Sequence, residues 1–116
     1  DKRLMLLRLV ERNPKGYELP SEYLIAYDLL AKDLHSLAED LDKVSFKGEI
    51  PAHVQEAACL LSKFEPECDP SVLGMASRET KDAFDGFQRA LIDNRPPKWL
   101  KDNYGKTYWY YFSSKK

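Results

Sequence analysis

His35 and His53, Cys59 and Cys68 are the side chains of this chain best suited to a metal centre or a nucleophile. A zinc site wants such donors at Cys-x-x-Cys or His-x-x-x-His spacing, so that two reach one ion from one turn. No pair here stands at that spacing. A cysteine nucleophile needs an adjacent base to raise its thiolate fraction. His53 precedes Cys59 by six residues, which at helical spacing separates their directions by about 240°. Cys59 is therefore expected to pack in a core, and both histidines to lie at the surface. Cys68 stands between Glu67 and Asp69, whose charges raise a thiol pKa and blunt its reactivity. The two cysteines can pair, but nothing in their spacing requires it.

Carboxylates are plentiful. Glu39 and Asp42 stand three apart and share a helix face, while adjacent Glu39 and Asp40 diverge. Paired-carboxylate hydrolysis needs two such groups across a cleft, one of them desolvated. Glu39, Asp40 and Asp42 fall instead on the polar side of an amphipathic helix, which predicts a solvated face. No Gly-x-Ser-x-Gly, P-loop or dinucleotide fingerprint occurs, and the five glycines never cluster into a phosphate cradle. The expectation is a non-enzymatic chain with no catalytic residue, no metal and no cofactor.

The most unusual chemistry is aromatic. From Arg95 onward, Trp99, Tyr104, Tyr108, Trp109, Tyr110, Tyr111 and Phe112 interleave with six basic residues, against Asp102 alone. Such a stretch can stack nucleic-acid bases, lie at a membrane interface or anchor a protein partner. It can also fold across the last helices with tyrosine hydroxyls reaching solvent. The rest of the chain argues against nucleic acid: residues 1–58 hold 8 Lys/Arg against 11 Asp/Glu, and the net charge is -1. Tyr23, Tyr27, Trp99, Tyr108, Trp109 and Tyr111 are the expected partner contacts.

Helices must position these groups. Apolar residues at 4, 6, 7, 9 and 10 predict a first helix over 2–12, ended by Asn13-Pro14-Lys15-Gly16. Pro20 suits the first turn of a second, whose apolar face is Tyr23, Leu24, Tyr27, Leu30 and Ala31. A break near Lys32-Asp33 follows, with Asp33 as N-cap. Leu34, Leu37, Ala38, Leu41 and Val44 form the next stripe. Pro51 opens a helix to about Lys63, with Val54, Ala57, Ala58 and Leu61 inward. Residues 64–75 read as a loop with one turn. Ser77 with Thr80 is a partial cap signal before the stripe Ala83, Phe84, Phe87, Ala90 and Leu91. Pro96-Pro97 stops that helix, and 97–103 predicts a short one. Residues 104–112 favour strand by propensity but have no strand partner, so a packed helix or extended cover is expected.

The predicted fold is all-α, about five helices in antiparallel hairpins, as one domain over 1–116 with an aromatic, basic tail over 95–116. At 116 residues with 43% hydrophobic and 32% charged residues, the chain can bury a core. No run of 18 apolar residues spans a membrane, and no signal peptide is legible at DKRLMLLRLV. The chain begins without Met and inside an apparent helix, so a longer parent protein is expected.

"LPSEYLIAYDLLAKDLHSLAEDL", "IPAHVQEAACLL" and "YGKTYWYYF" resemble the C-terminal region of a family of uncharacterised bacterial membrane proteins. The resemblance spans about residues 10–112. Its more specific parts are the aromatic ending and the helix with Pro51, Gln55, Glu56 and Ala57. It implies a tetratricopeptide-like right-handed array of hairpins at the soluble end of a multi-spanning protein, without fixing the side of the membrane. The expected function is scaffolding or protein–protein interaction, with a protein partner, the remainder of the parent chain or a second copy as occupant. The alternative is an accessory domain of a membrane-bound transferase or hydrolase.

Overall fold

The computed structural model describes residues 20–113 other than 45 and 47, and for residues 20–23 the backbone alone. Among the described residues there are seven helices and no strand. The helix expected over 2–12 lies outside them.

Helix α1 (Pro20–Ala31) begins at its proline. It ends at Lys32, whose φ is 59°, and Asp33 then caps α2 (Leu34–Asp42) by accepting the Ser36 N–H at 3.1 Å. That carboxylate satisfies one of the helix's orphan donors. Helix α3 (Ala52–Phe64) follows Pro51 and is the centre of the domain, packing on α2, the single turn α4 (Pro70–Leu73), α5 (Arg78–Ile92) and α7 (Tyr108–Ser113). Its Val54, Ala57, Ala58 and Leu61 are wholly buried. Small side chains at 57 and 58 let neighbours approach closely. Ser77 caps α5 (Arg78–Ile92), its Oγ accepting the Thr80 N–H at 3.2 Å, and α6 (Pro97–Tyr104) follows Pro96. Of the five expected helices, four fall within the described residues, as α1, α2, α3 and α5; α4 is the one turn expected in 64–75, α6 the short helix expected over 97–103, and α7 takes the helical form of the two expected for 104–112.

Three expectations are corrected. On α1, the core face is Ile25, Ala26 and Leu29; Leu24 and Tyr27 point outward, and Leu30 lies at the edge of the core. On α5, Phe84, Phe87 and Ala90 face inward, but Ala83 is exposed and Leu91 is largely so. His53 is buried in α3 rather than solvated, because Glu56, one turn on, supplies its partner. Cys59 packs in the core as expected, and both cysteines are free thiols.

Candidate functional site

Glu56 joins the middle of the chain to its end. Its Oε1 accepts the Nδ1–H of His53 at 2.8 Å and the backbone N–H of Tyr108 at 2.9 Å. Its backbone carbonyl accepts Trp109 Nε1–H at 2.7 Å. A carboxylate on the first N–H of α7 is the favourable end of that helix for negative charge. Gln55 turns the other way: its Oε1 accepts Ser77 N–H at 3.0 Å and the Thr80 hydroxyl at 3.1 Å, and its Nε2 donates to the Ile50 carbonyl at 2.9 Å. The two segments with the most specific resemblance thus meet in space, and their polar atoms face each other inside the domain.

Helix α7 also holds the end of α1. The hydroxyls of Tyr108 and Tyr111 donate to the carbonyls of Leu29 and Leu30, each at 2.6 Å. These carbonyls belong to the last turn of α1, where intrahelical donors run out. Trp109 stacks at 5.2 Å on Phe84 and at 6.0 Å on Phe87 of α5. Burial drives the Tyr108 phenol far above its ordinary pKa, with further contributions from Tyr111 and Asp28.

A surface groove of about 280 Å³ lies between α2 and the segment leading into α4. Its walls carry His35, Cys68 and the carboxylates Glu39, Asp42, Glu65 and Asp69. His35 Nε2 is 3.0 Å from Glu39 Oε1, and its Nδ1 is 3.3 Å from Glu65 Oε1. The Glu65 bond first, then the Glu39 and Glu65 charges, raise the His35 pKa. Partial burial first, then Glu65, Glu67 and Asp69, raise that of Cys68. Among the described residues, no three His, Cys, Asp or Glu side chains converge to hold a metal ion.

Of the expected contact residues, Tyr108, Trp109 and Tyr111 are buried, at 0%, 1% and 7% exposure. Their place is the core, because their polar atoms find backbone partners there. Trp99 is half-buried, with the Arg95 guanidinium 4.9 Å from its ring and Tyr104 at 6.2 Å. Tyr27 is 69% exposed. The Tyr23 side chain lies outside those described. Sequence reading missed the roles of Asp28, His53 and Glu56; only the Gln55-Glu56 motif gave a signal for any of them.

Residues 1–115 match DUF6057, described as a family of unknown function. The chain belongs to DUF6057. The match covers nearly the whole length, so the Glu56 junction and the α1 surface both fall within the DUF6057 region. Comparison with curated proteins and with solved structures finds no match.

Proposed function

We propose that this chain is a non-catalytic helical interaction domain whose outer α1 face receives a protein partner or the remainder of the parent chain. One observation carries this reading. Helix α1 is apolar on two sides: Ile25 and Leu29 are fully buried, while Leu24 and Tyr27, one turn apart, are 54% and 69% exposed. Ala31, one turn further, is exposed on the same side. A helix apolar all round is ordinarily covered all round, and clustered exposed apolar residues mark interaction surfaces. The resemblance extends the reading to a tetratricopeptide-like arrangement of hairpins at the end of a membrane-attached bacterial parent. Among the described residues, no helix is long and apolar enough to cross a membrane.

The test is light scattering over a range of concentrations on the chain and on Leu24→Glu/Tyr27→Glu. Both side chains are more than half exposed, so the variant is expected to fold. Concentration-dependent association that the variant lacks supports an uncovered docking face. Equal behaviour of both proteins, whether monomeric or associated, counts against it.

A second reading, the accessory domain of a transferase or hydrolase, is favoured by His35 standing between Glu39 and Glu65 in a groove. The imidazole is 76% exposed, and such a solvated pair lacks the water-excluded setting in which acid–base groups work best. The interaction reading is therefore preferred.

A further inference from the structure

Among the described residues, Ile92 is the most exposed of the large apolar side chains, at 78%, and Leu91 beside it is 42% exposed. The backbone fixes that exposure. The Asn94 N–H donates to the Leu91 carbonyl and the Arg95 N–H to the Ala90 carbonyl, each at 3.1 Å, around a left-handed Asn94 with φ 55°. This paired closure ends α5 sharply and sets Ile92 on the outside of the corner between α5 and α6. Every residue from Leu91 to Lys98 is exposed, so the corner projects rather than forming a groove. The Arg95 guanidinium lies 4.9 Å from the ring of half-buried Trp99. Helix α6 starts at the same corner without a side-chain cap, and the positive end of its dipole adds to the cations there. Charge is segregated with these groups: residues 89–106 carry five Lys/Arg against Asp93 and Asp102, whereas residues 24–88 carry six against 13 Asp/Glu. Arg89, one turn before Ile92, is exposed, and Lys98 pairs with Asp102 in solvent at 3.0 Å.

We infer that the α5–α6 corner seats an anionic lipid surface: Ile92 reaches into the boundary between headgroups and acyl chains, Trp99 lies at that boundary, and Arg89, Arg95 and Lys98 meet the lipid phosphates. A projecting corner offers a protein partner no groove to fill, whereas a bilayer boundary receives projecting apolar side chains of any shape. Indole suits that boundary because it is apolar with a single donor. Each Lys or Arg near an anionic leaflet adds attraction, and the acidic remainder of the chain is repelled by the same surface, which selects the side that lies down. One projecting isoleucine with three cations makes a weak, reversible and salt-sensitive attachment. The outer α1 face takes no part in it.

Co-sedimentation of the whole chain with vesicles tests it. Partition onto phosphatidylcholine vesicles with about 30% phosphatidylserine is expected to exceed that onto phosphatidylcholine alone at least about tenfold in about 0.1 M NaCl, and to lose most of that advantage in about 0.5 M NaCl. Arg89→Glu/Arg95→Glu should weaken it at least about tenfold, and Ile92→Glu about fivefold, while Leu24→Glu/Tyr27→Glu should bind as the wild type does. No binding to the anionic vesicles, equal binding to neutral ones, or equal losses from Ile92→Glu and Leu24→Glu/Tyr27→Glu overturns the lipid seat. Capture by polyglutamate without vesicle binding would mark an acidic protein as the partner and likewise overturn it. Brominated acyl chains decide the matter on the wild type if the variants do not fold. Half-buried Trp99 should then lose emission on anionic vesicles while buried Trp109 supplies a steady background, and unchanged emission overturns the proposal.

Discussion

The Glu56 carboxylate accepts the backbone N–H of Tyr108 at 2.9 Å, across 52 positions of chain. The bond ties the one-turn aromatic helix α7 to the central helix α3. It explains why a segment with strand-favouring residues closes as a helix: its first N–H has a buried acceptor waiting, and Tyr108, Trp109 and Tyr111 then all turn inward.

Removing that acceptor leaves a buried N–H unsatisfied. Glu56→Ala should destabilise the domain by about 2–4 kcal/mol, since it also removes the buried carboxylate bonded to His53 Nδ1. Glu56→Gln keeps a carbonyl oxygen at the same reach and should lose roughly half as much. Urea midpoints at unchanged slope measure both.

The two tryptophans should behave oppositely. Trp109→Ala opens a cavity beneath α5 and should lose about 3–5 kcal/mol. Trp99→Ala, at a half-buried site held by Arg95 and Tyr104, should lose roughly 1 kcal/mol or less. Thermal melts of the two variants side by side give the comparison.

Stability should depend on pH through Asp28. Its folded pKa, about 7, lies above the ordinary aspartate value of 3.8. The folded state therefore holds the proton more tightly, and the contribution is present in full below about pH 4. It is lost as pH rises toward 7. Asp28→Asn removes this dependence and should stabilise the protein at pH 8 by about 1–3 kcal/mol, a shift of this size corresponding to about 4 kcal/mol at most. Denaturant melts of both proteins from pH 4 to pH 8, roughly spanning that window, read the difference.

The thiols should separate by reactivity. Burial first pushes Cys59 up to about 11, so it should stay unmodified by a thiol reagent in the native state and react on unfolding. Cys68, half-buried among Glu65, Glu67 and Asp69, should react natively but more slowly than a free thiol. Mass spectrometry of the labelled chain distinguishes them.

Local signals were legible in the sequence and distant ones were not. Asp33 and Ser77 announce their helices because a cap acts within three residues. Pro51 and Pro96-Pro97 mark boundaries for equally local reasons. The core face of α1 was not legible, because Leu24/Tyr27 and Ile25/Leu29 both recur at helical spacing and periodicity cannot rank two apolar stripes. What ranks them is packing on α2 and the Tyr108 and Tyr111 hydroxyls, 79 and 81 positions away. Asp40 was expected in solvent with Glu39 and Asp42, yet it is half-buried. A polar residue at the margin of a stripe gives no sign of how far its neighbours will cover it.

The proposed α1 surface is tested most directly by a photo-crosslinking residue at position 27, in the protein expressed in its own host, with a second at exposed Lys81 as control. A discrete adduct from position 27, absent from position 81 and lost with Leu24→Glu, is the expected result. No adduct from position 27, or the same adducts from both positions, would contradict an interaction face on α1.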